Sequence, residues 1–213
     1  MIDLFFQNPI SFLIYIVALF FTISIHEFAH AWTADFLGDP TPRLQGRLNL
    51  NPKSHLDPAG LLFLVFFGFG WGKPVEFDPY NLKNPRRDAA IIALAGPLSN
   101  FILALLLSII FRLFIFFDYQ ILITIGYIFF IPLIQINVIL GAFNLLPIHP
   151  LDGFKIVGGV LSDDQAKEWY SLQKYGFLFL LLLIIPITGS SMLDTVLKPI
   201  VNFFINILIP KIY

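Results

Sequence analysis

The sequence predicts an all-α polytopic membrane protein with a three-helix core. One or two further apolar segments, a re-entrant segment and a short β-strand within a polar loop complete the expected architecture. Composition is the first observation behind this: of 213 residues, 57% are hydrophobic and 13% charged, against about 45–50% and about 25% in soluble domains. Mean hydropathy is +0.81. The second is that apolar runs long enough to cross a bilayer recur along the chain. The third is that the polar loops between them hold most of the charge. With 25 Phe, disorder is excluded, since disordered chains are polar and poor in aromatics. No repeat or low-complexity linker divides the chain. Residues 1–213 therefore read as a single integral membrane domain, with a core at about 9–154 and C-terminal apolar segments at about 175–209.

The first apolar run extends from Pro9 to about Trp32, and Pro9 suits a helix start. It carries His26, Glu27 and His30. Gly38-Asp39-Pro40-Thr41-Pro42 is a breaker cluster, and residues 43–58 are too polar to span. Residues 59–70 are apolar but only a dozen long, which suits a re-entrant or buried segment. A second polar loop covers 71–88, with Val75-Glu76-Phe77 as its candidate strand. A second span runs from about Ala89 to Phe111. A third runs from about Ile121 to Leu146, broken by Pro132 and ending at Pro147. After a charged loop at 151–174, a fourth apolar run covers Tyr175 to Ile187, with Pro186 near its end. The tail at 192–209 is interrupted by Asp194, Lys198, Pro199 and Asn202, and reads as a poor fifth span or an interfacial helix.

Charge narrows the possibilities. Cysteine is absent, so disulfides and thiolate metal sites are excluded. Net charge is −1, so no basic bias points to nucleic acid. The N-terminus MIDLFFQNPI has no basic n-region, so a cleaved signal peptide is not expected. If 59–70 does not cross, the loops at 38–88 and 151–174 share one face. That face carries ten of the thirteen basic residues, which the positive-inside rule makes cytoplasmic.

His26-Glu27-Phe28-Ala29-His30 fits H-E-x-x-H. On a helix, positions i and i+4 share a face, so both imidazoles can reach one metal. Glu27, beside the first, can contact a metal-bound water. Zinc in a catalytic site takes three protein ligands and keeps a fourth position open. Ionisable groups inside an apolar run cost several kcal/mol unless they pair or bind something. Without cysteine, the third ligand must be His, Asp or Glu. Asp35 and Asp39 lie just downstream. Asp152 is the better candidate, in Asn144-Leu-Leu-Pro147-Ile-His-Pro150-Leu-Asp152-Gly153. The two prolines open the helix end there, and Gly153 lets the chain turn.

Taken together, these motifs resemble the site-2 proteases, intramembrane zinc metalloproteases. The resemblance extends to the stretch from Gly46 to Gly60 (GRLNLNPxxHxDPxG), to Trp71-Gly-Lys-Pro-Val75 and to Ala95-Gly-Pro-Leu-Ser-Asn100, covering residues 26 to about 154. The chain looks like a minimal form without PDZ or CBS domains. The resemblance implies His26, His30 and Asp152 as ligands to one Zn²⁺ per chain, Glu27 as general base, and Asn144 near the active centre, holding the substrate carbonyl or stabilising the oxyanion. Asn100 is a weaker candidate for a similar role. Phe154 departs from the family, which often shows a second glycine there. The implied reaction is hydrolysis of a peptide bond in or near a transmembrane segment of a substrate protein. The expected place is a bilayer, a prokaryotic cell membrane, with the site towards the cytoplasm.

Other residues carry weaker signals. His55 could line the site's access or bond Asp57. His149 could be an alternative ligand but reads better as a structural loop residue. Thr22 and Ser24 are expected to bond the backbone carbonyl one turn back. Gly96-Pro97 suits close packing against the H-E-x-x-H helix. Trp71–Pro79 reads as an interfacial loop or as an edge strand for an unwound substrate. Asp163, Asp164, Lys167 and Glu168 read as a solvated face. The alternative functions are a zinc-binding membrane transporter or sensor, and a catalytically inactive membrane scaffold. The first predicts metal movement and tolerance of Glu27→Gln, and the intact Glu27 argues against the second.

Overall fold

A computed structural model describes residues 2–67, 70–185 and 191–210. It is 79% helical, with no sheet among the described residues. After a short α1 (Ile2–Gln7), α2 (Pro9–Phe36) starts where Asn8 Oδ1 accepts the Ser11 N–H at 3.0 Å and Pro9 takes the first helical position. Its 28 residues extend about 42 Å, enough to cross a bilayer obliquely. It ends at Gly38, whose φ of 106° suits glycine.

The predicted polar loop is tightly folded. It holds α3 (Thr41–Leu44) and α4 (Pro52–His55), and the short apolar segment that follows forms α5 (Pro58–Phe67). The ten residues of α5 reach only about 15 Å, so this helix cannot cross. The sequence expectation for Val75–Phe77 is corrected: those residues form no strand. The segment is extended chain, pinned by a single antiparallel bridge between Leu56 and Gly72 and by the Lys73 N–H donating to the His55 carbonyl at 2.8 Å. One bridge cannot build a ladder, because Pro74 has no N–H to continue it.

The second span, α6 (Pro85–Phe116), runs further at both ends than the apolar run suggests. Its polar first turn is closed by Asp88, which accepts the Asn84 N–H at 2.8 Å. The third span is continuous from Gln120 to Asn144. It comprises α7 (Gln120–Ile125), a π turn (Gly126–Phe130) and α8 (Ile131–Asn144). Pro132 therefore does not break it. Proline removes one ladder bond and crowds the carbonyl four residues back, and the wider π turn just before it relieves that conflict. Gly126 also lets the fully buried Phe111 ring approach, since a Cβ there would lie 2.2 Å from it.

Beyond the spans come α9 (Asp152–Val160), α10 (Asp163–Ser171), α11 (Gly176–Ile184) and α12 (Met192–Leu208). The predicted end of the fourth apolar run at Pro186–Ile187 lies outside the described residues. The tail is built into the bundle as α12. Leu208 joins Ala104, Ile134 and Val138 in a buried cluster. The last carbonyls of α12 are taken by α6: Ser108 Oγ donates to Leu208 at 2.5 Å and Arg112 to Ile207 at 2.6 Å. Three helices, α2, α6 and the Gln120–Asn144 span, are long and apolar enough to cross a membrane. Large side chains on the outward face of α6, among them Ile102, Leu105 and Ile109, are about half exposed. That exposure costs free energy in water and none in lipid, and the chain is an integral membrane protein.

Candidate active site

His26 and His30 lie one turn apart on α2, with their Nε2 atoms 3.0 Å from each other. Both are buried, and both Nδ1 atoms are engaged on the far side of the ring. His26 Nδ1 is 2.7 Å from Asn100 Oδ1, and His30 Nδ1 is 2.7 Å from the Ile92 carbonyl. Each of those partners belongs to α6. The helices meet this closely because residue 96 is glycine. A Cβ there would stand 2.4 Å from His30 Nε2 and 2.6 Å from His26 Cε1. Asp152 comes from the start of α9, where its Oδ2 lies 3.1 Å from His26 Nε2 and 3.2 Å from His30 Nε2. Gly153 permits this placement, since a Cβ would strike the Leu145 and Leu146 carbonyl oxygens at 2.3 and 2.4 Å.

These three atoms form a nearly equilateral triangle with edges of 3.0, 3.1 and 3.2 Å. Ligands around a tetrahedral ion at about 2.0–2.1 Å stand about 3.3–3.4 Å apart, so the triangle suits a zinc-sized ion. Chemistry agrees with size. The Ile92 carbonyl can only accept, so His30 Nδ1 carries the proton and Nε2 presents a lone pair. Asp152 Oδ2 is buried with no hydrogen-bond donor of its own. Lone pairs converging in an apolar interior repel one another unless a cation lies between them. The group is a His-His-Asp cluster able to hold one metal ion.

The cluster opens into a cavity of about 480 Å³. Trp71, Gly72 and Val75 of the extended loop line it, with Asn144, Lys155 and Leu180. Glu27 also faces it. Its Oε2 accepts the Val75 N–H at 3.0 Å and lies 4.0 Å from Arg47 Nη2. Arg47 is 4% exposed and donates to the carbonyls of Ser54 and Lys73. It thereby clamps the loop that covers Glu27. Burial pushes the Arg47 guanidinium below its usual pKa, while Glu27 and Glu76 oppose that shift. Asn144, which lines the cavity, donates one amide proton to the Leu140 carbonyl at 3.0 Å.

The remaining sequence candidates fall elsewhere. Asn100 is fully buried and committed to His26 and to Asn137, and it is not among the residues lining the cavity. His55 is also fully buried, bonding the Asn49 carbonyl at 2.6 Å instead of Asp57. Burial holds its imidazole below the usual pKa, even against that carbonyl. His149 packs edge-on against Phe154, and burial and then Lys155 push its pKa down. Asp35 pairs with Arg43, and Asp39 binds Thr41, Asp78 and Asn81. Neither approaches the histidines. Ser24 does bond the Phe20 carbonyl at 2.7 Å, but Thr22 accepts from Asn137 across the bundle. Phe154 stacks on Trp169, whose indole N–H donates to the Phe154 carbonyl at 2.8 Å. Arg47 and Asn137 escaped the sequence reading. An asparagine among Ile and Leu in the third span was the available signal, because an unpaired amide in lipid is costly. Arg47 stood in the Gly46–Gly60 stretch that carries the family resemblance, with nothing local to show what it would bind.

Comparison with known proteins agrees with this chemistry. The sequence profile described as peptidase family M50 matches residues 14–128 and 118–184. A Bacillus subtilis protein named "Putative zinc metalloprotease YwhC" is 36% identical over 195 residues, covering 90% of this chain and 89% of the relative. A Mycolicibacterium smegmatis protein named "Putative zinc metalloprotease Rip2" is 31% identical, covering 82% of this chain and 67% of the relative. A zinc metalloprotease of Methanocaldococcus jannaschii is 27% identical over 172 residues, with 81% and 38% covered. No solved structure gives a significant match.

Proposed function

The chain belongs to peptidase family M50, and on that premise we propose that it is a zinc endopeptidase cleaving a peptide bond within or beside a transmembrane segment of another membrane protein. One observation carries the reading: His26, His30 and Asp152 converge on one point facing a cavity between membrane-spanning helices. Gly96, against the histidines, is eleven residues into α6, or about 16 Å along the helix from its polar end. That depth suits a substrate bond inside the bilayer.

His26, His30 and Asp152 would hold the metal. When bound, zinc supplies Lewis-acid polarisation of the attacking water and of the scissile carbonyl. Glu27 accepts the proton of that water and returns it to the nitrogen of the leaving amine. The Val75 N–H and Arg47 fix one carboxylate oxygen, Oε2, and so orient the other, Oε1, toward the reacting water. The second amide proton of Asn144, which lines the cavity, would donate to a substrate carbonyl oxygen. The apolar cavity wall excludes bulk water and favours a hydrophobic segment. The extended chain at Trp71–Phe77, with backbone groups outside any ladder, suits a substrate that has unwound locally. Ten of thirteen basic residues lie on this face, which supports a cytoplasmic orientation under the positive-inside rule, and we take the membrane to be that of a prokaryotic cell.

The test begins with metal counting on protein purified in detergent. The expected result is about one zinc per parent chain, most of it lost in Asp152→Ala. Glu27→Gln should retain zinc and lose proteolysis of a model transmembrane substrate by a factor on the order of 10²–10⁴. A folded parent that takes up no zinc sinks the reading. Zinc-loaded Glu27→Gln with parental turnover sinks the mechanism, and favours a carrier or a scaffold.

A further inference from the structure

A line of amides runs across the bundle behind His26. Thr22 on α2, Asn100 on α6 and Asn137 on α8 are each 0% exposed. Asn137 Nδ2 donates to Thr22 Oγ1 at 2.9 Å and to the Leu133 carbonyl at 2.8 Å. Asn100 Nδ2 donates to Asn137 Oδ1 at 3.0 Å, and Asn100 Oδ1 stands 2.7 Å from His26 Nδ1.

The direction of this line is fixed at one end. A backbone carbonyl only accepts, so the Asn137 atom beside Leu133 must be the NH₂ group. Its oxygen then faces Asn100, which must answer with its own NH₂. The Asn100 oxygen is left toward His26, so His26 Nδ1 must carry the proton. Nε2 is thereby left with its lone pair pointing at Asp152 and His30. Reversing Asn137 would set its oxygen against the Leu133 carbonyl and its N–H against the Asn100 N–H, and reversing Asn100 would set its oxygen against the Asn137 oxygen.

We infer that Asn137 is a positioning residue that sets the tautomer of His26 through Asn100, without touching the metal or the substrate. The Leu133 carbonyl is the reference point, and each hydrogen bond transmits its polarity one step. His30 needs no such line, because the Ile92 carbonyl faces its Nδ1 directly. The two histidines of one motif are therefore prepared by different means, one by backbone and one by two side chains. The value of this arrangement rests on the metal reading above, since a presented Nε2 lone pair matters only to a cation.

The test compares zinc affinity, by chelator competition, in the parent, Asn137→Leu and Thr22→Val. Asn137→Leu frees the Asn100 amide to present either end, and affinity should fall about 10–100-fold, as for lost partners of metal-binding histidines. Thr22→Val removes a hydrogen bond from the same cluster and leaves the Leu133 reference intact, so affinity should stay near the parent value. An undiminished affinity in folded Asn137→Leu overturns the inference, as does an equal loss in both variants. A second measurement needs neither variant. In metal-free ¹⁵N-histidine protein, His26 (assigned by its loss in His26→Gln) should show the Nδ1–H tautomer. An Nε2–H tautomer overturns the inference even if Asn137→Leu does not fold. A parent that binds no zinc but shows Nδ1–H overturns the metal reading instead.

Discussion

Gly96→Ala adds one methyl group at the closest approach of α6 to the metal cluster. The new Cβ would stand 2.4 Å from His30 Nε2, 2.5 Å from His30 Cε1 and 2.6 Å from His26 Cε1. Ordinary contact begins at 3.4 Å, so both rings must retreat by about 1 Å, or α6 must. Neither ring can swing freely, because Asn100 and Ile92 hold the opposite edges. Metal–ligand distances tolerate about 0.2 Å, and an error of 1 Å in reacting geometry costs about 10²-fold in rate. The expected outcome is zinc affinity and proteolysis both reduced about a hundredfold or more, in a protein that still inserts and folds. Zinc would be titrated by chelator competition, and turnover followed on a model transmembrane peptide. Gly141→Ala is the control, since its Cβ meets only the edge of the Phe101 ring at 3.0 Å. Parental zinc affinity in Gly96→Ala would refute the view that close helix approach builds the cluster.

Arg47→Met should lower turnover without removing zinc, because it releases the Ser54 and Lys73 carbonyls and unclamps the loop over Glu27. Faster trypsin cleavage after Lys53, next to the clamped Ser54, would report the loosening, and an unchanged cleavage rate would count against the clamp. Phe154→Gly, restoring the residue common in the family, empties a site that is 3% exposed. It should cost about 3–5 kcal/mol, read as a lower Tm and altered Trp169 fluorescence. Asp39 carries the expected acid sensitivity. Burial works to raise its pKa, but the Thr41 hydroxyl, Asn81 and the backbone N–H groups outweigh burial and lower it. Its stabilisation is therefore present above the ordinary carboxylate range and fades as pH falls toward the lowered folded value. Asp39→Asn should flatten the acid limb of a Tm-against-pH curve, and a limb as steep as the parent's would exclude Asp39 as its source.

The spans and the chemistry were legible in the sequence because lipid imposes simple rules. Long apolar runs must be helices, and charged groups within them must have a purpose. His26, Glu27 and His30 stood out on that ground alone, and Asp152 stood out through its prolines and the family resemblance. What stayed hidden depends on pairing across the fold. Whether Arg47 faces water or clamps a loop is decided by where Ser54 and Lys73 come to lie, and no local pattern encodes that. Asn100 was read as a group for the substrate, because a sequence cannot show that His26 stands behind it. Pro132 was read as a break because the compensating π turn depends on the Phe111 ring and Gly126 from two different helices. The Val75–Phe77 strand failed for want of a partner, as an extended segment needs a neighbour to become a ladder.

The proposed ligands lie far apart along the chain: 122 residues separate His30 from Asp152. At a synthesis rate of about 5–20 residues per second, the ribosome needs roughly 6–24 s to travel from one to the other. Throughout that interval the chain has the two histidines and lacks Asp152 to complete them. On the proposed function, a half-made chain therefore cannot cut its neighbours in the membrane. The ligand set is complete only when α9 packs back against α6, so on the proposed function the order of synthesis itself acts as the safety on the blade.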